Sequence, residues 1–305
     1  MKLLSNPATI ATVAYADIFN FPLTEKELNY WLIFCKKPVI SVKNIESEDG
    51  FYFLSGRGSL VRVRQKRTEE VGLKLGMAEK MAKLLRIIPT IQLVGLTGGL
   101  AMGNAEAGDD IDFFIISSAG VLWMTRLLAT ILMDLTGLRR HPEEREIGNS
   151  ICLNMFMTEK HLSLVQDDRN LFTAHEVLQM QPLWERGETY HKFLQANRWV
   201  KNYLPNAWKE KTQISKLRSQ NYNSKLKSFR LKDLVLTFAV CVLRSLERPL
   251  KIMQLRYMRR HRTTEVVSDT VIRFHPKDAR VWVRRELAER LDKFNIPLDR
   301  IFYLR

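Results

Sequence analysis

Cysteine is scarce in this chain: there are three in 305 residues, Cys35, Cys152 and Cys241, with no paired spacing among them. That excludes a disulfide scaffold and a zinc site of the Cys type. The six histidines are scattered, and none falls in an HExxH pattern. The first residues lack the basic-then-apolar-then-small layout of a signal peptide. Long hydrophobic runs are missing too. Leu234 to Leu243 is too short to span a bilayer, and Leu122 to Leu135 is short and carries Arg126 and Asp134. No transmembrane helix and no internal repeat are read, and a reducing, cytoplasmic setting is the expectation.

What is present is a globular composition, 46% hydrophobic and 27% charged, at a length that suggests roughly two domains. The net charge of +15 is unevenly placed: residues 1–200 hold 23 Lys+Arg and 23 Asp+Glu, whereas residues 201–305 hold 25 and 10. The asymmetry points to a polyanionic partner for the last third, nucleic acid or an acidic lipid surface, with a solvated basic surface as the plain alternative. The densest basic cluster is Arg256, Arg259, Arg260, His261 and Arg262, interleaved with apolar residues. It suits a membrane surface or a nucleic acid backbone, and the localisation expected is cytoplasmic or peripheral at the membrane.

Five segments follow from the patterning. Residues 1–60 begin with a helix from Ala8 to Ile18, stopped by Pro22, and a second one, capped by Thr24 with Glu27, running to about Phe34. A third, weakly patterned segment covers Val39 to Ile45, and Asp49-Gly50 before Phe51-Tyr52-Phe53-Leu54 reads as a hairpin. This order resembles a winged helix, expected here to serve as an interaction or packing module. Residues 61–89 form an amphipathic connecting helix. Residues 90–207 read as strand Ile91–Leu96, a helix-compatible stretch Leu100–Ala105, strand Asp110–Ile116, helix Leu122–Leu135, a charged loop and strand Ile151–Met157, closed by a helical region from about Leu171 to Tyr203. Residues 208–228 are polar and basic and read as a linker or mobile loop. Residues 229–305 form a basic helical region, with a helix from Leu231 to Arg260 interrupted by Pro249 and a tail helix after Pro276.

One constellation carries chemistry: Gly98-Gly99, a gap, then Asp110-Ile111-Asp112. On a strand Asp110 and Asp112 face one way while Ile111 and Phe113 face the core. Two carboxylates on one face repel unless a cation lies between them, and oxygen ligands favour Mg²⁺ or Mn²⁺. The glycines let the backbone approach a ligand closely, and the start of the following helix suits a phosphate. That is equipment for phosphoryl or nucleotidyl transfer.

These residues resemble the nucleotidyltransferase domain of the DNA polymerase β superfamily, in which a hydrophobic strand and Gly-Gly or Gly-Ser precede Asp-x-Asp on the next strand. The match runs over about residues 90–160. The resemblance implies a mixed α+β fold, a sheet flanked by helices, and a Mg²⁺- or Mn²⁺-dependent transfer of a nucleoside monophosphate from an NTP to an acceptor hydroxyl. It implies that Asp110 and Asp112 are catalytic and bind metal, and that Thr97, Gly98, Gly99 and Asn104 surround the phosphates. The family's third carboxylate stands on a later strand. Here that strand is Ile151–Met157, and Asn154 takes the corresponding, third-ligand position. Glu143, Glu144 and Glu146 lie in a nearby loop, and Glu159 falls on the opposite strand face. The alternative is therefore a degenerate member that binds nucleotide or nucleic acid without turnover.

Other residues have plainer readings. Asp109 reads as a loop cap, Asn149 and Ser150 as turn residues, and His175 and Glu176 as surface or packing residues of a helix. The stretch from Tyr190 to Trp208 is rich in Asn, Arg and aromatics, including Asn197, and reads as packing rather than base recognition.

Overall fold

A computed structural model describes residues 5–38, 43–141, 144, 147–225, 244–258, 266–273 and 279–303. The fold is mixed α+β with two sheets. The N-terminal unit runs α1 (Ser5–Ile18), β1 (Leu23–Thr24), α2 (Glu25–Tyr30), β2 (Ile45–Glu48) and β3 (Phe51–Leu54), with strand order β1-β3-β2, all antiparallel. The Thr24 cap forms as its sequence requires: the Glu27 N–H donates to Thr24 Oγ1 at 3.3 Å, and the Thr24 N–H donates to Glu27 Oε2 at 2.9 Å. Asp49 and Gly50 both have positive φ, 50° and 78°, the pair that a two-residue hairpin loop needs to match strand twist.

α2 stops at Tyr30 rather than running to Phe34. Phe34 turns to φ 58°, and its N–H donates to the Tyr203 carbonyl at 2.7 Å, so a partner distant in sequence replaces the helical one. Of the third segment, 39–42 lie outside the described residues and Ile45 already belongs to β2.

α3 (Ser59–Leu85) is the expected connecting helix, burying Ala78, Ala82 and Leu85 against the large sheet. That sheet has the order β7-β4-β5-β6-β9-β8. Its strands are β4 (Ile91–Leu96), β5 (Ile111–Ser117), β6 (Ile151–Thr158), β7 (Gln181–Glu185), β8 (Val266–Val267) and β9 (Val271–Arg273). Between β4 and β5, α4 (Gly98–Ala101) is a single turn, shorter than the Leu100–Ala105 helix read from sequence. β5 and β6 are parallel, linked through α5 (Leu122–Leu135), and the other pairings are antiparallel. One face of the sheet packs on α3 and α5. The other packs on the N-terminal unit and on α6 (Leu171–Gln179) and α7 (Thr189–Ala196).

Three expectations are corrected here. The helical region from Leu171 to Tyr203 is broken by β7, whose backbone satisfies the open edge of β4. Gly95 permits that approach, since a Cβ there would stand 2.6 Å from Met180 Sδ. Residues 208–225 are helix rather than linker: α8 (Pro205–Lys225) buries Ala207, Ser215 and Ser219 and packs Trp208 on the core, while Ile214 and Leu217 stay exposed, so it has no continuous hydrophobic stripe. Residues 226–228 lie outside the described residues. The C-terminal region is not wholly helical either, because it lends β8 and β9 to the sheet. Of the Leu231–Arg260 helix, Glu247–Met258 is described, and Pro249 sits in its first turn, where a missing N–H costs little. Among the described residues no helix is long and apolar enough to cross a membrane.

Asn197, fully buried, ties α7 to the chain beyond β6. Its Oδ1 accepts from the Leu164 N–H at 2.9 Å and from Trp199 Nε1 at 3.2 Å, and its Nδ2 donates to the Leu162 carbonyl at 2.7 Å. Asn197→Ala should lower the unfolding free energy by about 2 kcal/mol, because those partners are left buried and unmatched. Urea denaturation measures this, and an unchanged midpoint would contradict the account.

Candidate functional site

The site begins where β4 ends. After Thr97 the chain turns at Gly98, with φ +69°, into the single turn of α4. A Cβ on Gly98 would lie 2.5 Å from Asp112 Oδ2, so the carboxylate rests directly against the glycine backbone. The Thr97 N–H donates to the Asp112 carbonyl at 3.0 Å, which fixes the turn to β5. Ile111 and Phe113 are buried on the far face, as strand alternation requires.

The loop before the pair is held from below. Lys74 of α3 is fully buried, and its Nζ donates to the carbonyls of Ala107 (3.1 Å) and Asp109 (2.6 Å). Asp109 caps the loop, accepting from the Glu106 N–H at 2.8 Å, and Asn149 is a turn residue with φ 65°. Asn104 lines the neighbouring cavity, but its amide is engaged on both sides. Nδ2 donates to the Phe19 carbonyl at 2.9 Å, and Oδ1 accepts from Arg67 at 2.6 Å.

Which β6 residue stands beside the pair is decided by register. Asp112 faces Cys152, and an irregularity between Asp112 and Phe114 inserts an extra residue into β6. Carboxylate oxygens of Asp110 and Asp112 and the Cys152 Sγ all lie within 4.8 Å of one another. Cys152 therefore stands next to the pair, and Asn154, the third-ligand position read from the sequence, lines the cavity with Asp112 and Gly98. It is only 8% exposed, and its Oδ1 is buried without a hydrogen-bond partner. Glu159 points elsewhere, accepting from the Ala119 N–H at 3.1 Å. Glu144 accepts from the His141 N–H in an exposed loop, and Glu143 and Glu146 lie outside the described residues.

Two groups to which the sequence reading gave no role in the site complete the centre. Arg140 donates to Asp110 Oδ2 at 2.5 Å, so a guanidinium already answers part of the charge. Glu176, on α6, lies close enough to feel the charge of Asp112. Its neighbour His175 is a packing residue but not a surface one: its ring stacks on Tyr15 at 3.9 Å, and its Nδ1 bonds the Leu171 carbonyl at 3.0 Å. Glu176 is the single acidic residue in Leu171–Gln179, a helix of otherwise uncharged residues, and that isolation was the one available signal.

Between these elements lies a cavity of about 220 Å³. The N-terminal unit supplies one wall through Tyr15, Phe19 and Trp31, while Phe172 and Trp282 supply others. Asp112 and Glu176 both line this cavity. Burial, then the Asp110 charge, pushes Asp112 up to about 7, against the Cys152 thiol that donates to it and the Arg140 cation. Burial, then Asp112, pushes Glu176 up to about 7 as well. Burial alone drives His175 down to about 4, so it is neutral at physiological pH. The Cys152 thiol is raised well above its usual range by burial and the two aspartates.

The donor set fits a divalent ion. Asp110, Asp112 and the orphaned Asn154 Oδ1 offer hard oxygens that suit Mg²⁺ or Mn²⁺, and Cys152 adds a softer sulfur. Elsewhere, Arg256 is exposed on its helix, whereas Arg259, Arg260 and Arg262 lie outside the described residues. Phe193, Asn197 and Tyr203 are buried, in keeping with packing. No family model, no curated protein and no solved structure matches the chain.

The raised carboxyls set a pH dependence. Folded Asp112 keeps its proton to about pH 7, whereas an unfolded aspartate loses it near 3.8. The folded state thus binds more protons between these values, and stability falls as pH rises through that window. Asp112→Asn should match the wild type in melting temperature near pH 4 and melt a few degrees higher above pH 7, in metal-free buffer. A pH-independent difference would contradict the burial of this carboxyl.

Proposed function

We propose that this centre is a divalent-metal-dependent nucleotidyltransferase site. The observation that carries the reading is the Asp110/Asp112 pair packed against the side-chain-free turn at Gly98, beside the orphaned Asn154 Oδ1. Asp110, Asp112 and Asn154 would hold Mg²⁺ or Mn²⁺, with Cys152 as an added ligand. When bound, the ion supplies charge neutralisation for an NTP and its leaving pyrophosphate. Thr97, Gly98, Gly99 and Asn104 would flank the phosphates, with Asp112 packed against Gly98 and the Asn104 backbone beside Gly99 bracing the turn.

Glu176 stands in for the third carboxylate that β6 lacks. Its raised pKa suits a group that takes a proton from an acceptor hydroxyl near neutral pH. Tyr15, Phe19 and Trp31 exclude water from that end. The N-terminal unit, with its helix–strand–helix–hairpin order, supports a winged-helix-like module acting as a wall of the cavity.

The second reading, a degenerate site that binds nucleotide without turnover, draws on Arg140, which already neutralises Asp110, and on asparagine at position 154. Thermal melting with each of the four NTPs, with and without Mg²⁺ or Mn²⁺, tests metal-dependent binding. Saturation at 100 times Kd should stabilise by about 2.7 kcal/mol, and the Asp110→Asn/Asp112→Asn double variant should lose the effect. No stabilisation by any NTP would overturn both readings. Pyrophosphate release with water as acceptor separates them. It should rise through pH 7 and fall at least ~10²-fold in Glu176→Gln if Glu176 is the base, whereas metal-dependent binding without release selects the degenerate reading.

A further inference from the structure

The cavity next to the metal pair has a composition at odds with the chain around it. The protein carries a net charge of +15, yet among the described residues lining the cavity the charged side chains are the carboxylates Asp112 and Glu176, with no lysine or arginine. Its other walls are aromatic: Phe19, Trp31, Phe172 and Trp282. One further residue lining it supplies an acceptor. His175, neutral and donating from Nδ1 to a carbonyl, has Nε2 left as a lone-pair acceptor. Two carboxylates and a neutral imidazole acceptor are met by a ligand that brings N–H donors and positive charge. Aromatic rings at the same wall favour a cation and bury an apolar body. An anionic ligand would meet two carboxylates and no cation among the described lining residues.

We infer that this cavity takes the acceptor, and that the acceptor is an organic cation: a protonated amine on an aromatic or apolar skeleton. The assignment rests on the nucleotidyltransferase reading only in naming the ligand an acceptor. The ammonium group would donate to Glu176, and the skeleton would lie against Phe172 and Trp282. The size of the cavity suits a single ring with a short arm rather than a polymer.

The test uses the full chain in EDTA at pH 8 without nucleotide, so its result is independent of metal and NTP binding. Quenching of tryptophan fluorescence is titrated with three probes sharing one ring: benzylammonium, benzyl alcohol and benzoate. Benzylammonium should bind at least tenfold tighter than benzyl alcohol, and benzoate should not bind. Glu176→Gln, which keeps shape and removes a buried charge, should reduce the amine-over-alcohol preference to within about threefold. Phe172→Ala should weaken amine and alcohol alike. Benzoate binding as tightly as the amine, equal affinity for amine and alcohol, no binding of any probe, or an unchanged preference in Glu176→Gln would each overturn the inference. If the probes behave as expected while NTPs fail to stabilise the protein, the cation site stands and the transferase reading falls. The reverse pattern leaves the metal centre and removes the cation.

Discussion

A carboxylate resting on a glycine sets the geometry of this centre. With no side chain at position 98 and a positive φ there, Asp112 can lie against the turn that follows β4, and the Thr97 N–H bonds its carbonyl. Any larger residue would be strained in backbone conformation and would push Asp112 away. Because β5 is buried on both faces, that displacement would be felt through Phe113 on one side and Phe114 on the other.

Placing Asp112 there has an electrostatic cost that shapes the surroundings. Asp110 stands alongside and Glu176 nearby, all with little water, so both enclosed carboxyls hold protons to near neutrality. Arg140 and the Cys152 thiol offset part of this, and buried Lys74 fixes the loop that delivers the pair. Such an arrangement costs folding free energy as pH rises through neutrality. The N-terminal unit contributes by enclosure: Asp17, at the end of α1, bonds Arg57 and Arg290 at 2.8 Å each and so links the unit's hairpin side to the C-terminal helix Ala279–Asp292 that carries Trp282.

Local chemistry was legible where it acts over a few residues. Thr24 with Glu27, Asp49-Gly50 and the apolar runs Ile91–Leu96 and Leu122–Leu135 each carry their own structural instruction. So does the Gly98-Gly99 … Asp110-Ile111-Asp112 spacing, since strand alternation alone puts both aspartates on one face. Elements stabilised by distant partners were not legible. β7 contains Pro182 and lies in a stretch of helical character, and it is a strand because β4 offers an unpaired edge. α8 has almost no apolar stripe, and small residues let it lie close to its neighbours.

From its residues alone the chain determined the order of the central elements, the paired carboxylates and the glycine turn that receives one of them, because these depend on backbone periods and steric freedom within a short segment. Tertiary structure decided which groups surround the pair. The register of β6 sets Cys152 beside Asp112, and a helix sixty-odd residues further on carries Glu176 toward it. The aromatic wall comes from α1, α2's end and the C-terminal helix, segments far apart in sequence. Register shifts and helix docking are settled by packing over the whole core, and no local pattern encodes them.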